Sequence, residues 1–347
     1  MNGYCELKLV KILFVRASNS SFVLRDLEIL CKNFDVKEIK VPEFNVPNGA
    51  FLSKIFSRLS IAFYFLKLSN EIMRVDVIFS WWATTCSFYL VLLCKILHRK
   101  SIVVVGGFEV AYVPEINYGA LLSPLRRIRT RFLLKNASKV LVVSKSSREQ
   151  AQRFLRTQKI RLVYNGVDVE RFKPRFDKIN KVITVGSISD MTIKRKGLKT
   201  FVEASRFLPN IPFLVIGKFD RSVDTLREIA GPNVTFTGYV SDEELLKNYQ
   251  TSKVYCQLSA HESFGVSIAE AMACGCVPVV TRKYAIPEVV GDTGYYAKYD
   301  DPKSAVEAIK KALLSDKGEK ARKRIVNLYS LTKREKSLVH EISEMIE

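Results

Sequence analysis

Short unbroken apolar runs alternate along this chain with longer segments whose apolar residues recur every three or four positions. "LVKILFVRA" (9–17) is the first run. It carries β-branched residues and stops at "SNSS", as a strand buried on both faces does. "SFVLRDLEILCKNF" (21–34) has helical spacing, and "VKEIKV" reads as a second strand. A helix-rich segment (50–74), strand 77–82, helix 85–98, strand 101–107, helix 120–136 and strand 139–144 follow. Strands that alternate with helices in this way predict a parallel, doubly wound sheet.

The turn-rich "VYNGVDVERFKPRF" (163–176) interrupts the alternation, and the domain boundary is expected at about 173–180. The pattern then restarts. Strands are predicted at 181–189, 212–218, 234–240, 253–259 and 277–281, and helices at 196–208, 224–230 and 241–250. Helices 301–314 and 330–347 close the chain. Two Rossmann-like α/β domains, 1–172 and 173–329, are therefore expected in tandem. Their sheets should face a central cleft, with helix 330–347 crossing back onto the first domain. Ligands of such sheets bind beyond the carboxyl ends of the strands.

Composition alters this picture in three places. A length of 347 residues suits two cores, and 48% hydrophobic with 26% charged residues is ordinary for a globular chain. "VIFSWWATTCSFYLVLLCKIL" (77–97) is long enough to tempt a membrane-span reading. Ser80, Thr84, Thr85 and Ser87 interrupt it, so it divides better into a strand, a turn and a helix. The start "MNGYCELKLVKILFV" lacks a signal-peptide layout, and the seven cysteines show no CxxC pair or zinc spacing. Reduced thiols in a cytoplasmic protein are the expectation.

The net charge of +20 is the outlying quantity. Residues 1–172 hold 27 Lys/Arg and 13 Asp/Glu (+14), and residues 173–347 hold 28 and 22 (+6). A basic first domain favours phosphates, a membrane surface or nucleic acid. Nucleic acid is disfavoured because no recognition module or basic-aromatic platform is visible. "SPLRRIRTRFLLKNASK" (123–139) and "AFLSKIFSRLSIAFYFLKLS" (50–69) are basic amphipathic segments suited either to core packing or to an anionic membrane surface.

The densest chemistry lies in "HESFGVSIAEAMACGCVPVV" (261–280), where Glu262 and Glu270 stand eight positions apart. Glu262 falls on the loop after strand 253–259, and Glu270 falls in the early turns of a helix starting near 264–267. The amides of Phe264, Gly265 and Val266 should be free at that helix start. With a dipole of roughly half a charge, they form a phosphate site that Gly265 lets a ligand approach closely. A diphosphate there leaves one carboxylate on each side, which suits a ligand carrying sugars at both ends. A bare capping or dipole role for either glutamate is the competing reading. "KRKG" reads as a cationic turn, either merely solvated or gripping phosphate through Lys196 and Arg195.

This segment resembles the E-x7-E signature of family 4 retaining glycosyltransferases, which have the two-domain GT-B fold. "VLVVSKSSREQ", "VYNGVDVERFKP", "VGSISDMTIKRKGLKTFVEA", "FTGYVSDEELLKNY" and "IPEVVGDTGYYAKYDDPKSAVEAI" resemble further family segments in the same order. The resemblance is strong over about 140–313 and weak before that.

It implies that Glu262 holds hydroxyls of the transferred sugar and Glu270 the ribose. Phe264, Gly265 and Val266 take the diphosphate, Lys196 neutralises the leaving phosphate, and Val240 with Tyr239 lines the base. It implies a nucleotide diphosphate-sugar donor, a glycan or lipid-linked acceptor, and a place in the cytoplasm or peripherally on the cytoplasmic membrane face. No cofactor is expected. No metal is expected either, since Asp-x-Asp is absent from the sequence.

Two departures stand out. Gly186-Ser187 replaces the family's Gly-Arg, leaving Arg195 as the substitute cation. Gly106 stands where the family often has His, with Glu109 at the following Asp position as a substitute base or substrate contact. The three histidines, His98, His261 and His340, lie outside that loop. The competing readings are a nucleotide-sugar epimerase on the same fold and a non-catalytic, donor-binding scaffold subunit.

Overall fold

The computed structural model describes residues 9–41, 64 and 68–346. Each apolar run becomes a parallel strand because its side chains are covered on both faces by helices. The first sheet is built from β1 (Lys11–Arg16), α1 (Ser21–Asn33), β2 (Asp35–Lys40), α2 (Ser69–Met73), β3 (Val77–Trp81), α3 (Thr85–Ile96) and β4 (Lys100–Val105). Short 3-10 turns then lead to α4 (Pro124–Asn136), β5 (Lys139–Val142), α5 (Lys145–Phe154) and β6 (Ile160–Leu162). The strand order is β2-β1-β3-β4-β5-β6, all parallel.

The second sheet comprises β7 (Ile179–Val185), α6 (Asp190–Lys196), α7 (Leu198–Ser205), β8 (Phe213–Ile216), α8 (Val223–Ile229), β9 (Val234–Gly238) and α9 (Asp242–Thr251). It continues with β10 (Ser252–Gln257), α10 (Val266–Ala273), β11 (Val277–Thr281), α11 (Ile286–Val290) and β12 (Tyr295–Ala297). Its order is β12-β11-β10-β7-β8-β9, again parallel. The chain ends in α12 (Pro302–Leu313), α13 (Gly318–Tyr329) and α14 (Leu331–Ile346).

Helix α14 lies on the first sheet's domain. Leu338 and Ile342 are fully buried in a cluster shared with Ile29 and Leu30 of α1. Arg334 forks onto Asp26, with Nη2 to Oδ2 at 2.6 Å, and donates to the carbonyls of Val163 and Tyr164. Lys139 pairs with Glu341 and Glu344. Val167 bridges to Ser330 where the chain crosses.

Three expectations change. The helix predicted at 196–208 is α7, which runs Leu198–Ser205, and an unpredicted helix, α6, precedes it and ends at Gly197, whose φ is 64°. Lys194, Arg195 and Lys196 therefore end a helix rather than lie in a loop. Helix 120–136 begins at Pro124, after a 3-10 turn at Ala120–Leu122, because proline suits a first helical position. Strand 77–82 stops at Trp81, since Trp82 turns to φ 64°. Most of the basic segment 50–69 lies outside the described residues. Among those described, no helix is long and apolar enough to cross a membrane.

Candidate active site

Strand β10 delivers the first glutamate. Beyond Gln257 the chain runs irregularly to Gly265, whose φ of 89° caps α10. Gly197 is pressed onto this loop: a Cβ there would stand 2.1 Å from the Leu258 carbonyl. Its positive φ and this contact both demand glycine. The docking aims the end of α6 at Glu262, and Ala260 N donates to Arg195 O at 2.8 Å.

One oxygen of Glu262 gathers four contacts. Arg195 Nη1 lies at 3.3 Å, Lys196 Nζ at 3.7 Å, Gln257 Nε2 at 2.7 Å and Ser259 Oγ at 3.2 Å. Gln257 is itself fixed, its Oε1 accepting from Tyr255 and Ser267. Burial pushes the Glu262 carboxyl up, but Lys196 and Arg195 together outweigh it and hold the group below the usual range. Burial pulls Lys196 down, more than Glu262 restores. Two largely buried cations against one carboxylate leave an excess of positive charge, on the same cleft wall as residues 264–266 at the start of α10.

Glu270 sits inside α10, buried and turned towards the first domain, where Arg25 Nη2 of α1 meets its Oε1 at 3.1 Å. Burial raises its carboxyl pKa, and Arg25 only partly offsets this. Arg25 Nη1 is buried with no hydrogen-bond partner among the described residues.

The domains also touch where Glu288 of α11 accepts from Lys145 N at the start of α5 (3.0 Å) and from Tyr164 Oη (2.6 Å). Gly107 has no room for a side chain against Ser263. His261 is fully buried between the rings of Tyr118 and Tyr284, with neither ring nitrogen hydrogen-bonded among the described residues. Burial lowers its pKa to about 4, so at neutral pH it is an uncharged packing group.

Between the sheets' carboxyl ends opens a cleft of about 430 Å³. Its wall brings together Gly106, Gly186, Arg195, Lys196, Glu262, Phe264, Gly265, Val266 and Glu270. Four other predicted residues are not on that wall. Ser187 is exposed, Tyr239 is largely exposed beneath Lys218, and Val240 is half-buried. Glu109 is buried with both oxygens committed, accepting from the amides of Ala83, Gly106 and Gly107. It braces the turns after two strands and does not line the cleft.

The cleft also holds residues the sequence reading missed, among them Phe22, Trp81, Trp82, Tyr118 and Asn165. The "SWW" at the carboxyl end of a strand was the available signal. Among the described residues, no group of three His, Cys, Asp or Glu is placed to hold a metal.

Comparison with known proteins fits this arrangement. The profile of the family described as "Glycosyltransferase Family 4" matches residues 25–171, and that of "Glycosyl transferases group 1" matches residues 167–328. A phosphatidylinositol N-acetylglucosaminyltransferase subunit of Arabidopsis thaliana is 30% identical over 231 residues, covering 63% of this chain and 51% of that protein. The sulfoquinovosyl transferase SQD2 of the same plant is 27% identical over 226 residues, covering 59% and 43%. The chain thus spans about half the length, or less, of these curated relatives. Among solved structures, Anabaena HepE in complex with UDP and glucose superposes with a TM-score of 0.76 at 15% identity, covering 96% of this chain and all of that one. That likeness establishes the fold.

Proposed function

With the chain a member of the family 4, group 1 glycosyltransferases, we propose that it moves a sugar from a nucleotide diphosphate-sugar to a glycan or lipid-linked acceptor, with retention and without a metal. The observation that carries this reading is the excess of positive charge formed by the largely buried Lys196 and Arg195 on Glu262, on the same cleft wall as the start of α10. Such a site is incomplete without an anion. A diphosphate completes it, with the amides of residues 264–266 taking its oxygens and Lys196 its developing charge.

Glu262 has one saturated oxygen and a second with no hydrogen bond among the described residues, and it lines the cleft. That second oxygen is suited to a sugar hydroxyl. Glu270 is suited to ribose hydroxyls.

In the transfer, the bond from the sugar's anomeric carbon to the phosphate oxygen breaks, and its electron pair leaves with the diphosphate. An acceptor oxygen then bonds to that carbon from the same face, and its proton passes to the departing phosphate. No side chain is asked to form a covalent intermediate. Lys196 and the helix amides stabilise the leaving group.

The surface of α4 supports an anionic membrane as the acceptor's setting. Leu125 and Ile128 are 67% and 69% exposed beside exposed Arg126, Arg127 and Arg131. Sedimentation with anionic but not neutral vesicles, reduced in Leu125→Ser/Ile128→Ser, tests this part.

The central test is a thermal-shift panel of UDP-, GDP-, ADP- and CMP-sugars, with and without EDTA. One nucleotide series should raise the melting temperature by mass action, unchanged by EDTA. A shift abolished by EDTA would overturn metal independence. A shift without nucleotide release would turn the reading towards a donor-binding scaffold subunit, and no shift with any donor would overturn the donor reading.

A further inference from the structure

Trp82 departs from every local rule around it. Its φ of 64° is left-handed, a conformation that a bulky residue rarely adopts and that is strained. The surroundings enforce it. Trp82 N donates to Val104 O at 2.7 Å, and its carbonyl accepts from Ser87 Oγ. The next amide, Ala83 N, is held by Glu109, which also grips Gly106 N and Gly107 N. Glu109 thus ties the turn after β3 to the turn after β4.

The result is an indole laid against Gly106, where a Cβ would stand 2.8 Å from Trp82 Nε1 and 3.0 Å from Cδ1. Any side chain at position 106 would displace the indole, so the two residues form one feature.

The neighbouring tryptophan supplies a contrast. Trp81 Nε1 is spent internally, donating to the buried Asp26 carboxylate at 2.9 Å. Trp82 Nε1 donates to no described residue and is not sealed from solvent. Its ring is steadied by Trp81 at 5.9 Å and Phe22 at 6.1 Å, and all three line the cleft. Strain held in place by three backbone amides, presenting an unspent N–H and a ring to a cleft, is the kind of outlier found where a ligand binds.

We propose that Trp82 is the platform for the acceptor, and that the acceptor presents a pyranose ring. An indole offers an apolar face to the C–H side of such a ring and an N–H to one of its hydroxyls. The wall across the cleft is taken by the charged groups assigned to the donor. Gly107, beside Gly106, abuts Ser263, the neighbour of Glu262. A ring on Trp82 therefore borders the place where the transferred sugar would lie. This rests on the glycosyltransferase reading above and adds the acceptor's chemical class.

The test uses the full chain and the nucleotide-sugar that stabilises it. Nucleotide release is measured without acceptor and with methyl and n-octyl glucosides, galactosides, mannosides and N-acetylglucosaminides. Trp82→Gly suits the left-handed backbone and should fold. It should shift the partition between transfer and hydrolysis by about tenfold or more towards hydrolysis, and Trp82→Phe, which keeps a ring, should recover part of that shift. In Trp81→Phe, Trp82 is the sole tryptophan, so its emission should change on adding the glycoside that accepts. An unchanged partition in Trp82→Gly, or emission indifferent to every glycoside, overturns the platform. Nucleotide release absent with every donor overturns the donor reading, and the platform with it.

Discussion

Lys196→Met removes one charge and the hydrogen bond from its Nζ to the Val185 carbonyl at 3.1 Å. The lysine stem passes under Gly186, where a Cβ would stand 2.5 Å from Lys196 Cδ, so an unbranched replacement keeps that packing. Glu262 is not orphaned, because Arg195, Gln257 and Ser259 still hold it. The protein should therefore fold, and the loss should appear in turnover.

A unit charge about 4 Å from another contributes about 4 kcal/mol at an effective dielectric near 20. Removal of an oxyanion partner in enzymes typically costs about 2.7–4 kcal/mol. A fall in kcat of about 100- to 1000-fold is the expectation, with a smaller change in donor affinity. Steady-state nucleotide release with the stabilising donor, at saturating acceptor, reads it. A loss below about tenfold, in protein of unchanged melting temperature, would refute a role for Lys196 in stabilising the leaving phosphate.

Other outcomes follow from the same contacts. Burial lowers the Lys196 pKa, so kcat/KM should decline on the alkaline side before the ordinary lysine value of 10.5. The limb for kcat should lie higher, because bound diphosphate favours the charged lysine. Coincident limbs at or above 10.5 would contradict this. Glu270→Ala should weaken nucleotide binding by roughly 1.5–3 kcal/mol, about 10- to 100-fold in Kd by calorimetry. Arg25→Ala leaves Glu270 buried without its cation, at a cost of up to roughly 3–5 kcal/mol near neutral pH. A raised folded-state carboxyl pKa is tolerated below 4.5 and penalised as pH rises through the raised value. The drop in melting temperature for Arg25→Ala should therefore be larger at pH 7 than at pH 4, and an equal drop at both would exclude the pairing as its cause. Arg334→Ala leaves Asp26 fully buried with only the Trp81 N–H among the described residues, and should expose α14 to limited proteolysis.

The alternation of apolar runs carried both sheets, because a strand buried on two faces has no polar positions to hide it. It missed β6 and β12, which are three residues each and too short to show a period. Helix α6 was missed because "DMTIKRK" is short and mostly polar, and reads as a cationic turn. Glu262 and Glu270 stood out as carboxylates in a mostly apolar segment, whereas Lys196 stood in the cationic "KRKG" and was singled out through the family resemblance; all three line the cleft. Arg25, Trp82 and the bracing role of Glu109 were not legible. Arg25 lies 245 positions from its partner. The left-handed turn at Trp82 depends on hydrogen bonds from β4 and Glu109 that no local pattern announces.

Glu262 and Glu270 are alike in type and burial yet shift in opposite directions, and the difference is the number of cations each meets. Glu262 faces two, so it is a secure anion whose contacts converge on one oxygen. Glu270 faces chiefly Arg25, supplied by the other domain, and burial still wins. A carboxylate held so weakly in its charged form gains most from each new donor. Ribose hydroxyls arriving at Glu270 would thus stabilise a charge that the protein alone leaves under-compensated. A sugar hydroxyl at Glu262 would meet a carboxylate already fixed in place. The first arrangement favours affinity that depends on the ligand, and the second favours accurate placement. A nucleotide end and a transferred end of one donor call for those two properties respectively.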